Sequence, residues 1–241
     1  MLRLALSFLT VLPVGPPEAQ PGDLGRAAAW FPAVGLLLGA ALAAAQWGLG
    51  QLFSPLLSAA LLVALWAGLT GGLHLDGVAD CGDGLLAAVS PERRLEIMRD
   101  PRLGSFGGLS LILFLLLKVL AVAALLPSLR LTFYPLLLAP VLARWLMLLV
   151  ACQPSARPGG LGAAFAAGLK PGLIFMAALL PIGLIAIGGW RAAVAVGLAL
   201  LVTLGLIRLA QARLGGVTGD VLGLTIELSE LVVLLTFAAR V

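Results

Sequence analysis

Charge is the scarcest property of this sequence. Of its 241 residues, 11% are Asp, Glu, Lys or Arg, where a soluble domain carries about a quarter. From Ala27 to Leu75 there is no charged side chain at all. With 61% hydrophobic residues and a mean hydropathy of +1.14, a water-soluble fold is excluded and an integral membrane protein is implied. Cysteine is nearly absent. Cys81 and Cys152 are too few for a disulfide framework and show no zinc-ligand spacing, so both read as thiols. There is no Lys/Arg-rich run and no aromatic ladder, so nucleic acid is not an expected partner. No internal repeat, low-complexity segment or linker to a soluble domain is visible, and the whole chain, 1–241, reads as one membrane domain.

What is there is a series of apolar runs broken by Gly and Pro. At about 20 residues per crossing, they predict an all-α, polytopic transmembrane bundle of six to seven spans, near 28–48, 55–73, 108–126, 132–150, 172–189, 192–208 and 221–238. Gly35-x3-Gly39 and Gly68-x3-Gly72 have the small-residue spacing that lets helices approach closely in lipid. The N-terminal "MLRLALSFLTVLPV" has one Arg and a short apolar run, as a signal peptide does. It is followed by no small-x-small cleavage site, so a short interfacial helix is expected instead.

Basic residues set the orientation. With the N-terminus inside, the inner segments hold ten of them: Arg3, Arg26, Arg93, Arg94, Arg99, Arg102, Arg157, Lys170, Arg208 and Arg213. The outer segments hold three, Arg130, Arg191 and Arg240, while Lys118 and Arg144 fall within spans. This bias predicts seven spans with the C-terminus outside. The last span contains Glu227 and Glu230 and is the one that could be re-entrant. The segment 74–107 is then cytoplasmic and carries six of the chain's 11 acids.

Three of these acids form a pattern. In "GGLHLDGVADCGDGLLA", Asp76, Asp80 and Asp83 stand at i, i+4, i+7, on one helix face within about 60° of each other. Like charges so placed repel. A divalent cation with a preference for hard oxygen donors, Mg²⁺ above all, relieves the repulsion; a merely solvated helix end is the plainer alternative. Downstream, Arg93, Arg94, Arg99 and Arg102 in "RRLEIMRDPRLGSFGG" could hold phosphate oxygens, or simply mark the inner face. His74, the only histidine, could accept a proton or bond a phosphate. Asp220, Glu227 and Glu230 head the last apolar run, where acids are functional candidates. Lys118 and Arg144 read as their buried counter-charges.

The stretches "GGLHLDGVADCGDG", "RRLEIMRDPRLGSFG" and "GGVTGDVLG", with "LSFLTVLPV" and "WFPAVGLLLG", resemble the signatures of the cobalamin synthase family. The family is also called adenosylcobinamide-GDP ribazoletransferase or cobalamin 5′-phosphate synthase. The resemblance runs from about residue 5 to 230. One departure is Val11, where many relatives carry a basic residue. The resemblance implies an enzyme of the bacterial inner membrane that works late in cobalamin assembly with Mg²⁺ as cofactor. It joins adenosylcobinamide-GDP to α-ribazole or its 5′-phosphate and releases GMP. By the same resemblance, Asp76, Asp80 and Asp83 would hold the metal, and His74 or Asp100 would act as catalytic base, with one of the same aspartates also open for that role. Arg93, Arg94, Glu96, Arg99, Arg102 and Asp220 would bind substrate. Membrane lipid is an implied partner, and a homo-oligomer is compatible with the sequence.

Two other readings remain open on the residues alone. "DGVAD" loosely resembles the aspartate motif of CDP-alcohol phosphotransferases, although the Arg position and the later spacing do not match. Intramembrane acids and Gly-broken helices also occur in transporters, although here the aspartates gather at one face and no second, similar half is seen.

Overall fold

In the computed structural model, residues 1–14, 20, 22–126, 129–157, 159, 160, 163, 165 and 167–239 are described, with backbone alone at 129–131; Arg240 and the Arg130 side chain therefore lie outside the described residues. Helices α1 (Leu2–Leu9) and α2 (Asp23–Ala27) come first. A 3₁₀ turn, Ala28–Trp30, joins α2 to α3 (Phe31–Leu52). Then follow α4 (Pro55–Leu69), α5 (Leu73–Leu86), α6 (Pro91–Ile97), α7 (Ser105–Leu125), α8 (Leu129–Ala151), α9 (Pro171–Leu214) and α10 (Gly219–Ala238). Among the described residues the only β feature is an isolated bridge between Ser155 and Val217.

Local chemistry sets the boundaries. Pro stands in the first turn of α4, α6 and α9, where its missing N–H costs no helical bond. Ser90 caps α6 by accepting from the Arg93 N–H, and Thr218 caps α10 by accepting from the Val221 N–H. Gly71 and Gly72, at φ +63° and +70°, end α4. The chain then turns by 94° into α5, which lies across the end of the bundle.

Five helical stretches are long and apolar enough to cross a bilayer, and the bent pair α4–α5 makes a sixth. One of the five is double. The 44 residues of α9 would run about 66 Å if straight, twice the hydrocarbon core. They reverse at Gly189 instead (φ 67°, ψ −162°). Before the reversal, α9 runs antiparallel to α8: Trp145 donates to the Ile174 carbonyl and the Tyr134 hydroxyl to that of Leu184. After it, the chain returns far enough for Gln211 to bond Gln153, beyond the far end of α8. A straight α9 would leave those two residues tens of ångströms apart. The all-α, polytopic bundle that the sequence predicts results, and α10 is a continuous 20-residue helix.

Gly189 occupies a backbone region that is essentially closed to side-chain-bearing residues. Gly189→Ala is expected to destabilise the protein by about 1–3 kcal/mol and to lower its melting temperature in detergent. An unchanged melting temperature would show that the reversal does not depend on glycine.

The two glycine pairs behave differently. A Cβ on Gly35 would come within 2.5 Å of the Pro140 carbonyl oxygen, and one on Gly39 within 2.6 Å of that of Leu136. Here α3 and α8 touch backbone to backbone, as small residues permit. A Cβ on Gly68 or Gly72 would meet nothing within 4 Å. That pair packs no helix, and Gly72 serves the bend.

The centre of the bundle is ionic. The Lys118 ammonium on α7 donates to Glu227 at 2.7 Å and to Glu230 at 2.8 Å, both on α10. Arg144 on α8 pairs with the other oxygen of Glu230. The Trp66 ring of α4 lies 4.1 Å from the Lys118 nitrogen, within cation–π range. Two cations and two anions on three helices cancel in a medium where a lone charge is costly. Glu227 and Glu230, functional candidates by sequence, thus take a structural role.

Candidate active site

Helix α5 sorts its residues by face. Gly77, Cys81 and Gly84, at the same i, i+4, i+7 spacing as the aspartates but one residue on, are buried. Their small size lets α5 sit close on its neighbours. A Cβ on Gly77 would stand 2.6 Å from the Asp220 carbonyl oxygen, one on Gly82 2.6 Å from Ser110 Oγ, and one on Gly84 2.3 Å from Met98. With that face pressed onto α10, α7 and the end of α6, the neighbouring face, bearing Asp76, Asp80 and Asp83, is left outward. Asp76 is exposed, and Asp80 and Asp83 are half-buried.

The three aspartates have different surroundings. Asp83 accepts from the Gly104 N–H at 2.7 Å and the Gly107 N–H at 2.8 Å, so both its oxygens hold the start of α7. Asp76 and Asp80 flank Gly77, where α5 meets Asp220. Among the described residues no three His, Cys, Asp or Glu side chains converge closely enough to hold a metal ion unaided.

Asp220 is brought in by two loops that pair with each other. The Ala156 N–H donates to the Val217 carbonyl, and the Val217 N–H to that of Pro154, both at 2.9 Å. This places Arg157 beside the first turn of α10. Its Nη1 donates to Asp220 Oδ2 at 3.2 Å, and its Nη2 to the Leu95 carbonyl at 3.3 Å. The Thr218 hydroxyl donates to the same Asp220 oxygen at 3.1 Å.

Behind these groups is a cavity of about 190 Å³. His74, Asp76, Ser155, Arg157, Thr218 and Asp220 line its polar side, and Phe8, Leu73, Met147, Leu222 and Ile226 its apolar side. His74 and Asp76 on α5, and Asp220 on α10, thus line one cavity.

The basic segment after α5 is organised differently. Arg94 is buried and donates to the carbonyls of Gly84, Leu85 and Val89, closing the C-terminal end of α5. Arg93 pairs with Glu96 on the exposed side of α6. Arg102 makes two bonds to the Asp100 carboxylate, at 2.9 and 2.6 Å. Arg102's side chain and backbone N–H hold the Asp100 carboxyl well below the usual range, at about 2. A group so acidic takes up a proton poorly near neutrality. Arg99 is exposed. None of these residues lines the cavity.

Arg157, Ser155 and Thr218 are the functional candidates that sequence reasoning passed over. Arg157 sits in the Pro/Gly loop "CQPSARPGG" and read there as one more inner-face charge. The signal available was the capping pattern "TGDV" at Thr218, which marks a helix start and its unpaired N–H groups.

The profile of the cobalamin-5-phosphate synthase family matches residues 1–238. The chain belongs to that family. Similar curated proteins include one of Ectopseudomonas mendocina, 43% identical over 98% of this chain and 97% of its own. Another, of Pseudomonas aeruginosa PAO1, is 45% identical over the same shares. A more distant one, of Roseiflexus, is 40% identical over 96% of this chain and 87% of its own. Each is named adenosylcobinamide-GDP ribazoletransferase. No solved structure gives a significant match. This cobalamin-5-phosphate synthase family member is therefore a multi-pass membrane enzyme, a transferase of cobalamin biosynthesis.

Proposed function

We propose that this enzyme transfers adenosylcobinamide phosphate from adenosylcobinamide-GDP to a ribose hydroxyl of α-ribazole or its 5′-phosphate, and that it requires Mg²⁺. The observation that carries the reading is the meeting of Asp76 on α5 with Asp220, Arg157 and His74 at one cavity. The relatives' name supplies the substrates. The positive-inside bias supports a site that faces the cytoplasm, where nucleotides are available.

The donor set fits a small hard cation. Asp76 and Asp80 would hold it with their carboxylate oxygens, with Asp220 near by on α10. Mg²⁺ commonly takes a few carboxylates and leaves other positions to phosphate and water, which suits a site with no complete protein cage. Asp83 would steady the start of α7 behind them. A metal held there would supply neutralising charge to the diphosphate.

The protein's own groups account for the rest. Asp220 Oδ2 is held by Arg157 and Thr218, which leaves Oδ1 to accept the proton of the attacking hydroxyl. The new bond joins that oxygen to the phosphorus of the cobinamide phosphate, and the bond from this phosphorus to the GMP oxygen breaks. Arg99 and Arg102, both exposed, would meet the GDP portion from solvent; Arg102 must then share its guanidinium with Asp100.

The test is turnover by the purified protein in liposomes with both substrates, with Mg²⁺ or with EDTA, followed by chromatography of GMP and cobalamin. The expected result is stoichiometric release of the two products with Mg²⁺ and none with EDTA. Equal turnover in EDTA would remove the metal from the reading. Release of neither product by folded protein would remove the substrates.

A further inference from the structure

We infer that the apolar groove between α5, α7, α9 and α10 is a phospholipid site: it takes one acyl chain, and Arg213 at its α5 end takes an anionic headgroup. Direction comes first. The groove holds about 310 Å³. Its walls run from Ser110 to Leu117 on α7 and from Leu224 to Leu231 on α10, about 10 Å along each helix. Both helices begin beside α5, at the bond from the Gly107 N–H to Asp83 and at the contact of Gly77 with Asp220. The groove thus starts under α5 and runs along the spans, as the chains of a bilayer do. Among the described residues Ser110 and the Cys81 thiol are the only polar side chains that line it. Leu117 is 45% and Leu209 38% exposed, which leaves the side of the groove open to the hydrocarbon around a span. Val78, Cys81, Gly82 and Leu85 form the α5 wall. At about 100° per residue they stand opposite Asp76, Asp80 and Asp83, so a chain in the groove supports the helix of the candidate site from behind.

Charge at the α5 end selects the headgroup. Leu209 lines the groove, and Arg213 is one turn further along the same face of α9. Its exposed side chain pairs with no carboxylate among the described residues. A second guanidinium stands near by instead. Burial first, and the charge of Arg213 second, hold the Arg94 pKa below its ordinary value, and Arg94 donates to the carbonyl of Leu85 in the groove wall. Two like charges that face each other repel, and an anion relieves them. Phosphate fits, because guanidinium forks match its oxygens and basic residues beside a membrane attract anionic lipid. Arg208 is exposed as well, but it stands about 100° round the helix from Leu209, off the groove.

The experiment strips the full-length protein of lipid in detergent and adds phosphatidylglycerol or phosphatidylcholine of equal chain length, with bound lipid counted by native mass spectrometry. Wild type should hold one phosphatidylglycerol about 5-fold more tightly than phosphatidylcholine, the worth of one Arg near an anionic surface. Arg213→Gln should abolish that preference, and Arg208→Gln should keep it. Leu117→Trp fills the groove from its open side and should weaken both lipids. All three positions are exposed, and the melting temperature of each variant in detergent checks that it folds. Equal affinity of wild type for the two lipids needs no variant and would overturn the inference. Lipid binding unchanged in folded Leu117→Trp would overturn it too. A wild-type dimer that Leu117→Trp splits would give the groove to a second copy of the chain. None of these readouts involves turnover, so the lipid site stands or falls apart from the transfer proposed above.

Discussion

Asp80→Asn is expected to lower turnover by roughly 10³-fold, the scale of several kcal/mol of metal-derived stabilisation, while the protein remains folded and in the membrane. The substitution keeps the shape of the side chain and removes its charge. Asp80 sits half-buried one turn from Asp76, and its carboxylate holds no helix end of the kind that Asp83 holds. Asp76→Asn should behave in the same way. Asp83→Asn is the informative contrast. Its oxygens hold the Gly104 and Gly107 amides, so its loss should appear first as stability, about 1.5–3 kcal/mol for a charged hydrogen bond. The measurements are turnover across a Mg²⁺ titration and thermal unfolding of each variant. Turnover of Asp80→Asn near the wild-type value would remove that residue from the metal site.

The largest effect on stability is expected at the opposite kind of carboxylate. Glu230 is fully buried and accepts from both Lys118 and Arg144. Glu230→Gln leaves Lys118 paired with Glu227 but strands the Arg144 cation, which is itself 0% exposed. Arg144 Nε and Nη2 already lack partners among the described residues, so the guanidinium would keep no hydrogen bond of its own there. Removing one member of a buried ion pair costs about 3–5 kcal/mol, enough to unfold many domains. Arg144→Met combined with Glu230→Gln removes both charges together and should recover most of that loss, because a paired deletion leaves no charge uncompensated. Melting temperatures of the single and double variants in one detergent decide it. A double variant no more stable than Glu230→Gln alone would show that the pair acts through packing or geometry.

Two other acids of α10 show where sequence reasoning reaches its limit. Glu227 and Asp220 stand seven apart near the start of one apolar helix, and their spacing makes them equivalent candidates for a site. Only the neighbours distinguish them. Lys118 arrives from α7 to neutralise Glu227, whereas Arg157 and Thr218 meet Asp220 at the cavity. Arg94 is a similar case: as one of four arginines on an inner loop it resembles a phosphate ligand, but its guanidinium closes the end of α5.

What the sequence determined by itself was whatever depends on composition and local period. Long apolar runs require helices in a bilayer because backbone polar groups must pair within the segment, so the all-α, multi-span bundle was readable. The i, i+4, i+7 aspartates supplied a helix face, because that is a property of one segment. What tertiary structure alone decided was pairing between segments distant in the chain. It brought Arg157 to Asp220, gave both oxygens of Asp83 to the start of α7, and opened a cavity between α1, α5, α8 and α10. Those outcomes depend on which backbones approach closely, through Gly35, Gly39 and Gly77, and on where a chain reverses, at Gly189. A glycine in the sequence marks the places where either could happen, but its packing partner decides which one does.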